Sequence, residues 1–209
     1  MINFYFIRHA ECAMNLDVDL YVGGRSNESP LTERGVLQSR LLGRSLTQKG
    51  VRFDSVYSSP AVRTRDTAKL SCLEMGFALD RIIQRAEFLE LSQGTWEGMV
   101  RKEVYTPEML AEINSNNWHF KAPGGESQKE VEERMLRMIE NITRDNGGED
   151  RSIGIFGHGV AIKCALRGLF HFSPTITYKI PLDNTSLTKV EYSGDRWYLR
   201  GINDTTHLL

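Results

Sequence analysis

Two arginines, two histidines and one glutamate in this chain have types and settings suited to nucleophilic chemistry on an anion. Arg8-His9 directly follows the apolar run Ile2 to Ile7, and Arg63 closes the segment Ser58-Ser59-Pro60-Ala61-Val62-Arg63. Glu90 opens Glu90-Leu91-Ser92-Gln93-Gly94-Thr95-Trp96-Glu97-Gly98, and His158 stands between Gly157 and Gly159. A guanidinium is a permanent cation whose planar fork of donors matches phosphate oxygens. A neutral imidazole can attack an electrophile, and a carboxyl group can hand a proton to a leaving oxygen. Glycines beside His158 let the backbone approach a ligand closely, and a helix starting there would favour an anion. Glu87 and Glu97 compete with Glu90, and Arg65 competes with Arg63. Glu97 is expected to be structural, accepting backbone donors near Gly98.

These residues need elements that bring them together. Ile2 to Ile7 reads as a short buried strand, and so do Phe53 to Tyr57 and Ser152 to Phe156; Arg81 to Arg85 is a weaker strand pattern. Thr32 is placed to cap a helix reaching Lys49 and ended by Gly50. A second helix follows Ser58-Ser59-Pro60 to about Met75. Ser127 and Glu130 have capping-box spacing, and Val131, Met135, Met138 and Ile142 then recur on one helical face, with Asn146-Gly147-Gly148 ending it. Ile162, Ala165, Leu166 and Leu169 mark a further helix. Ser186 to Tyr192 and Arg196 to Ile202 form a closing hairpin around Ser193-Gly194-Asp195. Strands alternating with helices predict an α/β fold, a three-layer α/β/α sandwich around a mainly parallel, mixed sheet. In such sheets ligands bind beyond the carboxyl ends of the strands, where Arg8-His9 and His158 fall. Residues 11 to 30 read as a polar loop. Residues 86 to 126 are irregular, with a short helix near 107 to 114, and 98 to 126 read as an insertion or lid within one domain spanning 1–209.

Composition narrows the partners. The 209 residues carry a net charge of -1 without a basic run, which argues against nucleic acid. No apolar stretch approaches the roughly 18 residues of a spanning helix, and no signal-peptide pattern opens the chain. Cys12, Cys72 and Cys164 are odd in number and far apart, so reduced thiols in the cytoplasm are expected, with no disulfide frame or Cys-based metal site.

Taken in order, the motifs resemble those of the histidine phosphatase superfamily, in its phosphoglycerate-mutase-like branch. The resemblance rests on Arg8-His9 with Asn15, Pro30-Leu31-Thr32-Glu33-Arg34-Gly35 and the Ser-Ser-Pro…Arg63 block. It continues through Glu90…Gly-Thr-Trp-Glu-Gly, Pro123-Gly124-Gly125-Glu126-Ser127, Gly157-His158-Gly159 and the tail Asn203-Asp204-Thr205-Thr206-His207-Leu208. It implies His9 as the nucleophile that becomes phosphohistidine, and Glu90 as proton donor and then acceptor. Arg8, Arg63 and His158 would hold the phosphoryl group, with Asn15 and Gly159 contacting it. No metal or other cofactor is implied, and the expected partner is a small phosphate ester. Ala10 and Cys12 depart from the usual glycine and Ser or Thr, and the second change removes one hydroxyl. A phosphatase is the first expectation. A mutase would need a second anion grip, for which Arg25, Arg101, Lys102 and Lys121 are candidates. A phospho-ligand binding module without catalysis is the reading from another class. His119, His171 and His207 lack a matching context, Trp96 is expected in the core, and Trp118-His119-Phe120-Lys121 could be a substrate rim or packing for the insertion. Oligomeric state is not readable from these features.

Overall fold

The computed structural model describes residues 1–147 and 149–209. In chain order it contains β1 (Ile2–Arg8), α1 (Ala13–Leu16), α2 (Glu33–Gln48), β2 (Ser55–Ser58), α3 (Val62–Met75), β3 (Ile82–Gln84), α4 (Arg101–Val104) and α5 (Pro107–Ser115). There follow α6 (Gln128–Asp145), β4 (Arg151–Gly157), α7 (Gly159–Phe170), β5 (Leu187–Ser193) and β6 (Arg196–Asp204). The strands form one sheet in the order β3-β2-β4-β1-β5-β6. β1, β2, β3 and β4 run parallel, and the β5–β6 hairpin adds antiparallel to β1. A parallel sheet needs cover on both faces, and the side-chain alternation of β1 supplies it. Phe4 and Phe6 face a core with Val131, Met135, Ile139 and Ile142 of α6 and Ile162 and Leu166 of α7. Tyr5 and Ile7 face the other way, onto Leu42 and Leu46 of α2 and Ala68 and Cys72 of α3. The expected α/β/α sandwich is thus the architecture of the chain.

Local signals account for the main helix starts. Thr32 accepts the Gly35 N–H at 3.0 Å, and Ser127 and Glu130 exchange capping bonds at 3.2 and 2.8 Å. The buried stripe of α6 runs through Ile139, whereas Met138 is only partly buried against the core. Either residue satisfies the helical spacing, and only the tertiary packing decides between them. Gly154 lets the Phe53 ring lie on the sheet, because a Cβ there would sit 2.9 Å from that ring. Gly148, expected among the helix-ending residues, lies outside the described residues.

The structure corrects three other expectations. The polar loop after β1 contains the one-turn helix α1, and residues 98–126 hold α4 as well as the expected short helix α5. Trp96 belongs to neither core; it is half-buried and packs on Tyr105 and Phe120 at centroid distances of 5.9 and 5.7 Å. Trp118 packs beside the Arg167 guanidinium at 5.4 Å and Phe120 on Trp96, His119 and Lys121 are exposed, and none of residues 118–121 lines the cavity at the strand ends. No helix among the described residues is long and apolar enough to cross a membrane.

Phe4 ties the hairpin to the α6–α7 core, since its buried ring also meets Trp197 at 5.5 Å. Phe4→Ala is expected to cost about 3–5 kcal/mol, the range for deleting a buried aromatic ring. Urea unfolding of the variant checks this, and a loss below about 1 kcal/mol would contradict the packing described.

Candidate active site

The carboxyl ends of β1 and β4 are in register, with Arg8 opposite Gly157, and the His9 N–H continues the ladder to the Gly157 carbonyl at 3.0 Å. The next residues of both strands, His9 and His158, therefore emerge side by side, with ring centroids 5.3 Å apart. The Ser59 N–H bonds the Phe156 carbonyl at 3.0 Å, which brings the start of α3 and Arg63 to the same edge. A cavity of about 160 Å³ opens there, walled among others by Arg8, His9, Asn15, Arg63 and Glu90. Four of the five residues singled out as catalytic line it; His158 lies behind them, fully buried.

The tautomer of His9 follows from its contacts. Nδ1 lies 2.8 Å from the Ala10 carbonyl, which can only accept, so Nδ1 carries the proton and Nε2 keeps its lone pair. Burial, and then the charges of Arg63 and Arg8, hold the His9 pKa well below its ordinary value. The ring is thus neutral, oriented and nucleophilic. Its backbone is braced from outside the motifs. The Ala10 N–H bonds Thr67 Oγ1 at 2.9 Å, and the Asn184 side chain donates to the His9 carbonyl at 3.0 Å. The Thr185 N–H bonds the Arg8 carbonyl at 3.1 Å, although Thr185 takes a positive φ of 58°. A β-branched residue avoids that region, at a cost of about 1–3 kcal/mol.

His158 has a different position from the one expected. Its Nδ1 accepts from Arg63 Nη2 at 3.1 Å, and its Nε2 lies 2.9 Å from Ser59 Oγ and 3.2 Å from Thr64 Oγ1. A guanidinium only donates, so the proton is on Nε2. Burial, followed by the nearby charge of Arg63, holds this ring neutral too. His158 therefore orients Arg63 and adds no charge of its own. The donors at the start of α7 are also taken. Glu90 Oε2 accepts from Val160 N–H at 3.1 Å, and Oε1 accepts from Ala161 and Leu91 N–H at 3.0 and 2.9 Å. Gly159 opens the helix beneath Arg8, where a Cβ would stand 3.6 Å from Arg8 Nε.

The arginines are held by carbonyls. Arg63 Nη1 donates to Ser26 O at 2.8 Å, and Arg8 Nη1 donates to Leu182 O at 2.6 Å. Arg8 Nε is buried without a partner among the described residues. With Nη2 on His158, Arg63 offers less than the complete fork expected for it. Asn15 Oδ1 accepts from the Cys12 N–H at 3.1 Å and the Cys12 thiol at 3.3 Å, which leaves its amide N–H groups for the cavity. Arg65 pairs loosely with Asp66 at 3.6 Å, and Glu87 does not line the cavity. Glu97 accepts backbone donors from Arg25 and Gln93 at 3.1 and 2.9 Å, a structural role as expected, though beside Gly24 and not Gly98.

The cations offered for a second anion grip lie elsewhere. Lys121 pairs with Glu130 at 2.8 Å, Arg25 with Glu126 at 3.1 Å, and Arg101 covers the Tyr105 ring at 4.6 Å. Lys102 sits with Asp19, Leu20, Tyr21 and Val100 on an outer depression. Each has a nearer partner or surface, which spacing alone could not reveal. Of the residues that sequence reasoning missed, Ser59 lay in a quoted motif. Thr64, Thr67, Asn184 and Thr185 carried no signal. Among the described residues no group of three His, Cys, Asp or Glu side chains is disposed to hold a metal.

His9 and His158 bind protons less readily folded than unfolded. An unfolded histidine titrates near about 6.5. Stability is then complete above about pH 6.5 and declines as pH falls below it, by up to about 1.4 kcal/mol per unit per histidine. Urea unfolding between about pH 7.5 and about pH 5.5 measures this, and His9→Asn is expected to lessen the decline. A wild-type stability independent of pH in this interval would contradict the neutral histidine pair.

The sequence and the fold both have counterparts among known proteins. Residues 4–205 match the model of the histidine phosphatase superfamily (branch 1). The chain is 27% identical over 216 residues to a probable phosphoglycerate mutase GpmB of Yersinia pestis (strain Pestoides F), covering all of this chain and 95% of that protein. A histidine-to-alanine mutant of phosphoserine phosphatase from Entamoeba histolytica, in complex with phosphoserine, superposes with a TM-score of 0.85 at 24% identity, covering 100% of both chains. Bacillus stearothermophilus YhfR superposes at 0.83 with 26% identity, again over 100% of both chains. The chain belongs to branch 1 of the histidine phosphatase superfamily, whose members are phosphatases or mutases.

Proposed function

We propose that this protein is a metal-independent phosphomonoesterase that works through a phosphohistidine on His9. The observation that carries this reading is the His9 ring: its Nδ1 proton is bound to the Ala10 carbonyl, and its bare Nε2 belongs to a cavity walled by Arg8, Arg63 and Glu90. In the first step Nε2 attacks phosphorus, the bond to the leaving oxygen breaks, and Glu90 protonates that oxygen. Water then attacks phosphorus, the P–N bond breaks, and Glu90 takes the water proton. Arg8 and Arg63 match the charge on the transferring oxygens, assisted by the Asn15 amide and the Gly159 backbone. The Glu90 carboxyl group accepts from three backbone N–H groups, which fix its place for both proton transfers.

Phosphatase is favoured over mutase by the charge inventory. Arg8 and Arg63 are the arginines or lysines that line the cavity, and Met14, Val18, Leu91 and Val160 make much of its remaining wall. That wall suits a substrate with one phosphate and an uncharged, partly apolar remainder. A phosphoglycerate mutase needs a second cationic grip for the carboxylate, which Arg25, Lys102 and Lys121 do not supply from their observed partners. The relative named as a probable mutase keeps that reading as the alternative. The complete set of Arg8, His9, Arg63, Glu90 and His158 speaks against a binding module without catalysis. We read the chain as a single domain with an insertion at about 98–126. The free thiols of Cys12, Cys72 and Cys164 support a cytoplasmic setting.

Two assays test this. Hydrolysis of p-nitrophenyl phosphate is expected to persist in chelator and to fall at least about a thousand-fold in His9→Ala. Equal rates in the variant, or complete loss in chelator, would overturn the mechanism. Phosphorus NMR of labelled 3-phosphoglycerate separates phosphatase from mutase; isomer interconversion without free phosphate would favour the mutase.

A further inference from the structure

The Glu90 backbone is gripped by residues that do not line the cavity. Arg134 of α6 donates through Nη2 to the Glu90 carbonyl at 3.1 Å and through Nη1 to the Glu87 carbonyl. Arg25 Nε reaches the same Glu90 carbonyl at 3.4 Å. Glu126 stands between the two guanidiniums. It takes a two-pronged contact from Arg134 Nε and Nη2 at 3.1 Å each, and pairs with Arg25 Nη2 at 3.1 Å. Glu126 also accepts the Ser92 N–H at 3.2 Å, while its own N–H donates to the Ser92 carbonyl at 2.9 Å. Arg134 and Glu126 side chains are 11% and 19% exposed, so the cluster is largely withdrawn from solvent screening.

We propose that Glu126 is a positioning residue for Glu90, acting through Arg134 and Arg25 to fix the 87–92 segment. A single carbonyl facing two cationic donors is tenable because one carboxylate lies between those donors. Without that charge the guanidiniums repel, and the segment loses its tie to α6 and to the loop carrying Arg25. The Glu90 carboxyl then no longer stands in one place over the leaving oxygen. Proton donation is sensitive to such a shift, whereas phosphate binding by Arg8 and Arg63 is not. Glu126 also closes the 98–126 insertion, so the same contact ties the position of the insertion to the proton donor.

This inference rests on the assignment of Glu90 as proton donor, and the test separates the two. The readout is the ratio of kcat/KM for p-nitrophenyl phosphate to that for phenyl phosphate, because nitrophenolate departs without a proton and phenolate does not. Glu90→Gln is expected to raise the ratio at least about ten-fold, and Glu126→Gln and Arg134→Met at least about three-fold, with Arg134→Lys between wild type and Arg134→Met. Should Glu126→Gln fail to fold, the Arg134 pair carries the test. If Glu90→Gln raises the ratio and the Glu126 and Arg134 variants keep the wild-type value, the positioning role is overturned while the proton donor stands. If Glu90→Gln leaves the ratio unchanged, the proton-donor assignment falls and the positioning role falls with it.

Discussion

Arg8 and Arg63 bring two cations to one strand edge, and among the described residues no carboxylate is bonded to either guanidinium; they donate to the Leu182 and Ser26 carbonyls, and Arg63 also to His158 Nδ1. Burying charge in this way is costly, and burial lowers the pKa of both groups. These neutral acceptors leave the charge uncompensated, and the nearby Glu90 offsets only part of it. The site is therefore poised for an incoming anion. The same field, acting together with burial, keeps His9 and His158 uncharged. One electrostatic condition thus prepares both the grip and the nucleophile of the proposed reaction, and the strand ends hold the residues that create it.

What surrounds that condition is mostly orientation. His158 receives Arg63 Nη2 and is itself anchored on Ser59 and Thr64, so a residue expected to bind phosphate directly stands behind the cavity wall. Thr67 and Asn184 hold the backbone around His9, and Thr185 accepts an unfavourable φ to complete that brace. Glu90 is tied at its carboxylate by the start of α7 and at its carbonyl by Arg134. Rigid support of this kind is what lets a small number of reacting groups work without rearrangement.

The fold was largely legible because its signals are local. The apolar run of β1, the Thr32 cap and the Ser127–Glu130 capping box each depend on a few neighbouring residues, and each appears as read. A stripe at three- or four-residue spacing admits both Met138 and Ile139, so spacing alone does not choose between them. The short helices α1 and α4 lacked a periodic apolar face to announce them. In the site, residue types were readable but partners were not. Arg25, Lys102 and Lys121 looked free in sequence, yet two of them are paired with carboxylates and Lys102 lies on an outer depression. Trp96 looked like core, but it packs within the segment that follows β3. These outcomes depend on long-range contacts that no local pattern encodes.

The central claim is that His9 carries the phosphoryl group during turnover. Rapid quenching into alkali during turnover of p-nitrophenyl phosphate, followed by peptide mass spectrometry, tests it most directly. The account predicts one phosphoryl group on the His9 peptide, lost on acid treatment and missing from His9→Ala. Turnover with that peptide unmodified at every quench time, or with the phosphoryl group on another residue, would contradict it.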